Sequence, residues 1–181
     1  MKDFTVYINE KLKITKDVLK QNKHNYYPKT KNELTTLIDK LIEERGIEAD
    51  LNDIDTSEIT DMSALFKNSN FNGDISGWDV KSVIKMEYMF YDSKFTGENG
   101  GISKWNVGEV VNMKSMFMKS KFNGDISKWD VRKVGDMEGM FFGSSFNMDI
   151  SNWDISSITN MDYMFDGCPI KEEYKPKFKK Q

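Results

Sequence analysis

The chain has 181 residues, with 26 basic against 29 acidic side chains and a formal net charge of −3. That length suffices for one domain with a real core, and no apolar run approaches the roughly 20 residues of a membrane span. Arg45 and Arg132 are the only arginines, so the fork that reads phosphate and guanine is scarce and a nucleic-acid partner is not expected.

The first 46 residues stand apart from the rest. Phe4, Val6 and Ile8 alternate, and Leu12 and Ile14 come after a break, which reads as a short hairpin. No apolar core of a signal peptide is present at the start, which points to a cytoplasmic or virion-associated protein; secretion or cell-surface display is the alternative if the start is incomplete. His24-Asn-Tyr-Tyr-Pro28 reads as a loop. Thr30 and Glu33 form a capping-box pattern, Leu34, Leu37, Ile38, Leu41 and Ile42 recur at helical spacing, and Gly46 stands where a C-terminal cap belongs. A helix is expected over 31–45. Residues 1–46 are then an N-terminal cap of hairpin plus helix, with the Leu34/Ile38/Leu41 stripe laid over the segment that begins at residue 47.

From residue 47 the chain repeats itself. The tryptophans at 78, 105, 129 and 153 are 27, 24 and 24 residues apart, and so are Phe90, Phe117, Phe141 and Phe165. Stepping back by 24 from copy two takes Phe71 to Ile47, Trp78 to Ile54 and Phe90 to Phe66, so a diverged first copy fills 47–70. The copies are 47–70, 71–94, 95–121, 122–145 and 146–169. A period of this length marks a solenoid, in which each unit buries its apolar face against its neighbours. Within a copy, Asp-Ile-Ser-x-Trp-Asp-Val alternates like a short strand, placing Ile75, Ile102, Ile126 and Ile150 inward. Val83, Met86, Met89 and Phe90 then fall on one helical face. The expected fold is an α/β repeat solenoid: a right-handed, leucine-rich-repeat-like coil of short parallel strands and short helices. Residues 170–181 carry five lysines against two glutamates and read as a C-terminal cap or a disordered lysine-rich tail.

Nine of the twelve methionines and all four tryptophans hold repeat register, as core ladders do; a soft-metal stripe is the competing reading. Aspartates such as Asp74, Asp125 and Asp149 serve as turn formers. Calcium-binding aspartate stacks would need a Gly-Gly-x-Gly-x-Asp pattern that is absent. No metal or cofactor is expected. Catalysis is not expected either, since the one histidine, His24, has no nucleophile and acid beside it in sequence. Cys168 is set opposite Lys94, Lys121 and Ser145, with no base nearby, and as a single cysteine it excludes an internal disulfide.

Phe-Asn-Gly-Asp-Ile-Ser-x-Trp-Asp-Val followed by Val-x-x-Met-x-x-Met-Phe resembles the BspA-like leucine-rich-repeat family. The branch it is most similar to is the mycoplasma lipoprotein-associated repeat of unknown function, in a short bacterial or phage-type form. The resemblance spans 47–169 and implies a leucine-rich-repeat-like fold that binds a protein partner; larger members are adhesins. Three roles are open: a non-enzymatic protein-interaction module, a structural or assembly component of a phage virion, and a surface adhesin fragment. Partner contact is expected where repetition is broken. Copy three carries the insertion, with Gly97, Glu98, Asn99 and Gly100, and the outward row Asp53, Gly77, Lys104, Lys128, Asn152 varies between copies.

Overall fold

Thr30 begins the regular structure. Its Oγ1 accepts from the Glu33 N–H at 3.2 Å, while Glu33 Oε2 accepts from the Lys29 N–H at 2.7 Å, a capping box shifted by one residue. Helix α1 (Lys31–Arg45) runs from there to Gly46, whose φ of 90° and N–H bond to the Ile42 carbonyl close it. Leu34, Ile38 and Leu41 are at most 1% exposed and share one core with Ala49 and Leu51 of copy one. The helix is latched at its end, because the Arg45 guanidinium forks onto Asp53 with both contacts at 3.0 Å. The computed structural model describes residues 24–177; the hairpin expected over 4–14 lies outside them.

The repeats do not form strands and helices. Among the described residues α1 and a one-turn 3-10 helix (Glu172–Tyr174) are the helical elements, and strand-like pairing is confined to isolated parallel bridges such as Asp61–Lys85, Lys85–Asn112, Asn112–Asp136 and Asp136–Asn160. The expected α/β solenoid of short parallel strands and short helices is therefore corrected: the copies are coils of consecutive turns, stacked in register.

The departure lies in the Met-x-x-Met-Phe segment. Its local bonds are i to i−3, as in Met89 N–H to Met86 O (3.2 Å), Tyr91 to Tyr88 (3.1 Å) and Ser93 to Phe90 (3.2 Å). The alternate N–H groups, of Met86, Tyr88, Phe90 and Asp92, turn away and donate to Asn112, Lys114, Met116 and Met118 of the next coil at 2.8–3.0 Å. The same four bonds join copies one to two, three to four and four to five. An α-helix cannot send those donors sideways. The geometry instead needs left-handed residues at two places per coil, filled by Tyr88 and Asp92, Ser115 and Lys119, Gly139 and Gly143. Each non-glycine there costs about 1–2 kcal/mol, which four inter-coil bonds of about 0.5–1.5 kcal/mol each offset. A turn of three residues and a helical turn both bring i and i+3 to one face, so the apolar spacing alone fits either.

Inside, aromatic rings run the length of the stack. Phe66, Phe90, Phe117, Phe141 and Phe165 succeed one another at 5.4, 5.5, 5.7 and 5.9 Å between centroids, tilted by at most 5°. A second column of Phe71, Phe95, Phe122 and Phe146 lies against it, with Phe117–Phe122 and Phe141–Phe146 at 4.2 Å. Methionines 86, 89, 113, 116, 137 and 140 are fully buried in the same core.

Candidate functional site

On the Trp half of each coil, side chains make the regular bonds between layers. The indole N–H groups of Trp78, Trp105, Trp129 and Trp153 donate to the carbonyls of Leu51, Ile75, Ile102 and Ile126 at 3.0–3.2 Å. Asp74, Asp125 and Asp149 each accept the N–H of the serine two residues on, at 2.8–2.9 Å. These bonds hold the carboxyls of Asp125 and Asp149 below the usual carboxylate range. The aspartates make turns, and among the described residues no group of three or more His, Cys, Asp or Glu could hold a metal ion.

That scaffold displays the outward row. Lys104, Lys128 and Asn152 are exposed on successive coils. Lys104 and Lys128 line a hollow of about 160 Å³ with Ser103 and Asp125. Asn152 lines the next one, of about 300 Å³, with Asp125, Ser127, Met148 and Asp149. Asp125 belongs to both, so the row is continuous across three coils. Its first members are otherwise engaged: Asp53 is held by Arg45 and Asn25, and the Gly77 N–H donates to Asn52 Oδ1 at 2.7 Å.

The insertion is split by role. Gly97 and Gly100 have φ of 82° and 85°; a Cβ on Gly97 would meet Phe122 at 2.8 Å, and on Gly100 the Asp74 carboxylate at 2.1 Å. Both are glycine for conformation and close approach. Glu98 and Asn99 are the exposed members, and Asn99 Nδ2 donates to the Asn72 carbonyl at 3.3 Å.

Sequence reasoning missed a second row. With the Met-Phe segment built of turns, Tyr88, Tyr91, Met118 and Phe142 are half-buried on its outer side and Tyr163 is 65% exposed. Lys67 Nζ sits 5.6 and 5.3 Å from the Tyr88 and Tyr91 centroids. Gly139 inside the expected helical face, with the turn-forming Asn68, Asp92, Gly143 and Gly167 two residues past its Phe, was the signal that could have revealed it.

Cys168 also moves. It stacks on Ser144, not Ser145: Ser144 Oγ lies 3.8 Å from its sulfur, and the thiol donates to the Phe146 carbonyl at 3.0 Å. It ends an internal column of Ser69, Ser93, Ser120 and Ser144. His24 meets Tyr27 edge-on at 6.3 Å, and its carbonyl accepts the Tyr27 hydroxyl.

Comparison with protein families matches residues 33–120 and again 93–175 to one described as "Mycoplasma protein of unknown function, DUF285". The chain belongs to this family. The two matched segments overlap, as two placements of a repeat-built profile on five in-register copies would. Neither the curated proteins nor the solved structures give a match. No helix among the described residues is long and apolar enough to cross a membrane.

Proposed function

We propose that this DUF285 chain is a non-enzymatic protein-interaction module. The observation that carries the reading is the row Lys104, Lys128, Asn152: exposed on three successive coils, and the continuation of a row that begins with Asp53 and Gly77, on a stack whose interior is consumed by repeated ladders. Varied side chains on a rigid frame suit recognition of an extended partner surface. The BspA-like proteins that the repeat resembles bind proteins, which favours the same class of partner. The hollows along the row suit a side chain of a docked protein, and the Lys104–Asp125–Lys128 alternation favours a partner patch that presents carboxylates beside the two lysines.

The test is affinity capture with the full chain against its Lys104→Glu/Lys128→Glu variant. The variant should melt at the same temperature and lose the captured partner at least tenfold. Equal recovery by both proteins would remove the row from the interface.

A further inference from the structure

From the first Met of the motif to two residues past its Phe, the hydrogen bonds between coils run forward; only the flanking positions run backward, as in Thr159 N–H to the Gly135 carbonyl and Ser145 N–H to the Ser120 carbonyl. Four alternate N–H groups of each coil donate forward, and the carbonyls they meet belong to the next coil. In copy five the equivalent donors are the N–H groups of Met161, Tyr163, Phe165 and Gly167, and they reach no acceptor among the described residues. The carbonyls between them, of Asn160, Asp162, Met164 and Asp166, already accept from copy four. Between 161 and 167 the edge therefore offers donors alone.

An ordinary edge strand presents N–H and C=O groups together, so it would meet a donor-only row with half its groups mismatched. What fits is a row of carbonyls at two-residue pitch with no donors between them. In this molecule that pattern is the backward face of a coil of the same repeat. The side chains agree. Phe165 stacks on Phe141 at 5.9 Å and 4°, and among the described residues nothing continues the column beyond it except the Lys175 ammonium, 5.6 Å from its centroid. Met161 and Ile158 are partly buried beside it. Residues after 169 cover the other half of the coil: Ile170 is 7% exposed, the Lys171 N–H donates to Asn147 Oδ1, and the Tyr174 carbonyl accepts from Ile150.

We propose that the edge at 161–167 is a docking site for a coil of this same repeat, supplied in trans by a different chain and added as one more rung on the Met-Phe half. A second copy of this chain does not suit the edge. Its own backward carbonyls, at Asp61, Ser63, Leu65 and Lys67, begin beside the start of α1, whose Lys31 reaches the Asp61 side chain at 3.7 Å. A helix about 10 Å thick cannot fit the roughly 5 Å of one rung. An acidic peptide is opposed by Asp162, Asp166 and Glu172 around the edge. The site is separate from the lysine row and stands or falls without it.

The test uses the full chain and three synthetic probes: a peptide spanning residues 122–145, its scrambled form, and an oligoglutamate of equal length. Amide hydrogen exchange is read residue by residue. The repeat peptide should bind saturably and slow exchange of the Met161, Tyr163, Phe165 and Gly167 amides about tenfold or more, leaving Met137 and Phe141 unchanged. Tyr163→Lys, a change at an exposed side chain, should weaken that binding at least tenfold at an unaltered melting temperature. Four results would each overturn the proposal: no binding of the repeat peptide, protection elsewhere but not at these amides, equal binding of either control, or self-association of the full chain through this edge.

Discussion

On the Met-Phe half, neighbouring coils meet through backbone: four co-directional N–H···O bonds per interface, repeated at every junction from copy one to copy five. On the Trp half the regular contact comes from a side chain, one indole N–H per coil from copy two on, while Asx turns brace each coil internally. The difference shows in the lengths. Trp to the following Phe is 12 residues in every copy, as in Trp105 to Phe117, whereas the opening Phe to Trp is 7 in three copies and 10 in copy three. A backbone ladder counts residues, and an added one would shift every later donor off its acceptor. A side-chain contact needs only its own two ends, so the loop before it can grow. This fold therefore admits novelty unevenly, and the insertion lies in the half that does not count.

The largest expected effect comes from the counting half. Phe117 is fully buried, with Phe90, Phe122 and Phe141 against it. Phe117→Ala should cost about 3–5 kcal/mol, read from urea unfolding. Phe165→Ala, at the half-covered end of the same column, should cost clearly less. Equal losses would mean that the column does not act as a stack. In the tolerant half the contrast lies between neighbours. Gly100→Ala drives a Cβ toward the Asp74 carboxylate that caps Ser76, at a left-handed φ, and should cost about 1–2 kcal/mol. Glu98→Ala, at an exposed position in the same insertion, should stay within about 0.5 kcal/mol. If both are neutral, the insertion is a floppy bulge rather than a fitted one.

Much of this was legible in the sequence, and the reasons are physical. Register, the helix over 31–45 and the buried identity of Ile75, Trp78, Met86 and Phe90 come from spacing, because any stacked coil must repeat its inward residues. The turn architecture did not. Val83, Met86, Met89 and Phe90 satisfy a helical face, and what separates a helix from consecutive turns is where the N–H groups of Met86, Tyr88 and Phe90 point, which side-chain spacing does not record. Gly139, within the face, carried that information, since it favours the left-handed conformation that a helix interior excludes, and Asp92, Gly143 and Gly167 repeat it two residues past the Phe. Of the expected contact residues, Lys104, Lys128 and Asn152 are displayed together, while Gly97 and Gly100 turned out to be fitted parts of the frame.

A smaller effect should have the opposite sign. In the internal serine column, Ser69, Ser120 and Ser144 accept the N–H two residues on at 3.1–3.3 Å. Ser93, just before the insertion, is 1% exposed, and its hydroxyl has no partner among the described residues. A buried hydroxyl without a bond is a net cost, so Ser93→Ala should raise stability by about 1 kcal/mol. Ser120→Ala should not raise it. Destabilisation by both would show that the column bonds evenly through the insertion.

The smallest effect concerns charge. The Ser127 bonds lower the folded pKa of Asp125 below its unfolded value of about 3.9. Folding therefore gains from this group above that unfolded value, and the gain is lost as pH falls from about 4 through the lower folded pKa. An asparagine keeps the Oδ1 that accepts the Ser127 N–H but cannot titrate, and Asn106, Asn112 and Asn160 already make such turns elsewhere in the stack. Asp125→Asn should thus lie within about 0.5 kcal/mol of the parent at neutral pH and show a shallower fall in melting temperature between about pH 5 and pH 2. Asp130, pulled to about 2 by the Arg132 guanidinium and the Arg132 N–H, gives the matching control. Asp130→Asn keeps the turn but gives up the ion pair, so it too should flatten the acid slope, and added salt should shrink the Asp130 difference more than the Asp125 one. A parent slope unchanged in both variants would mean that these turns stabilise the coil through geometry with no contribution from charge.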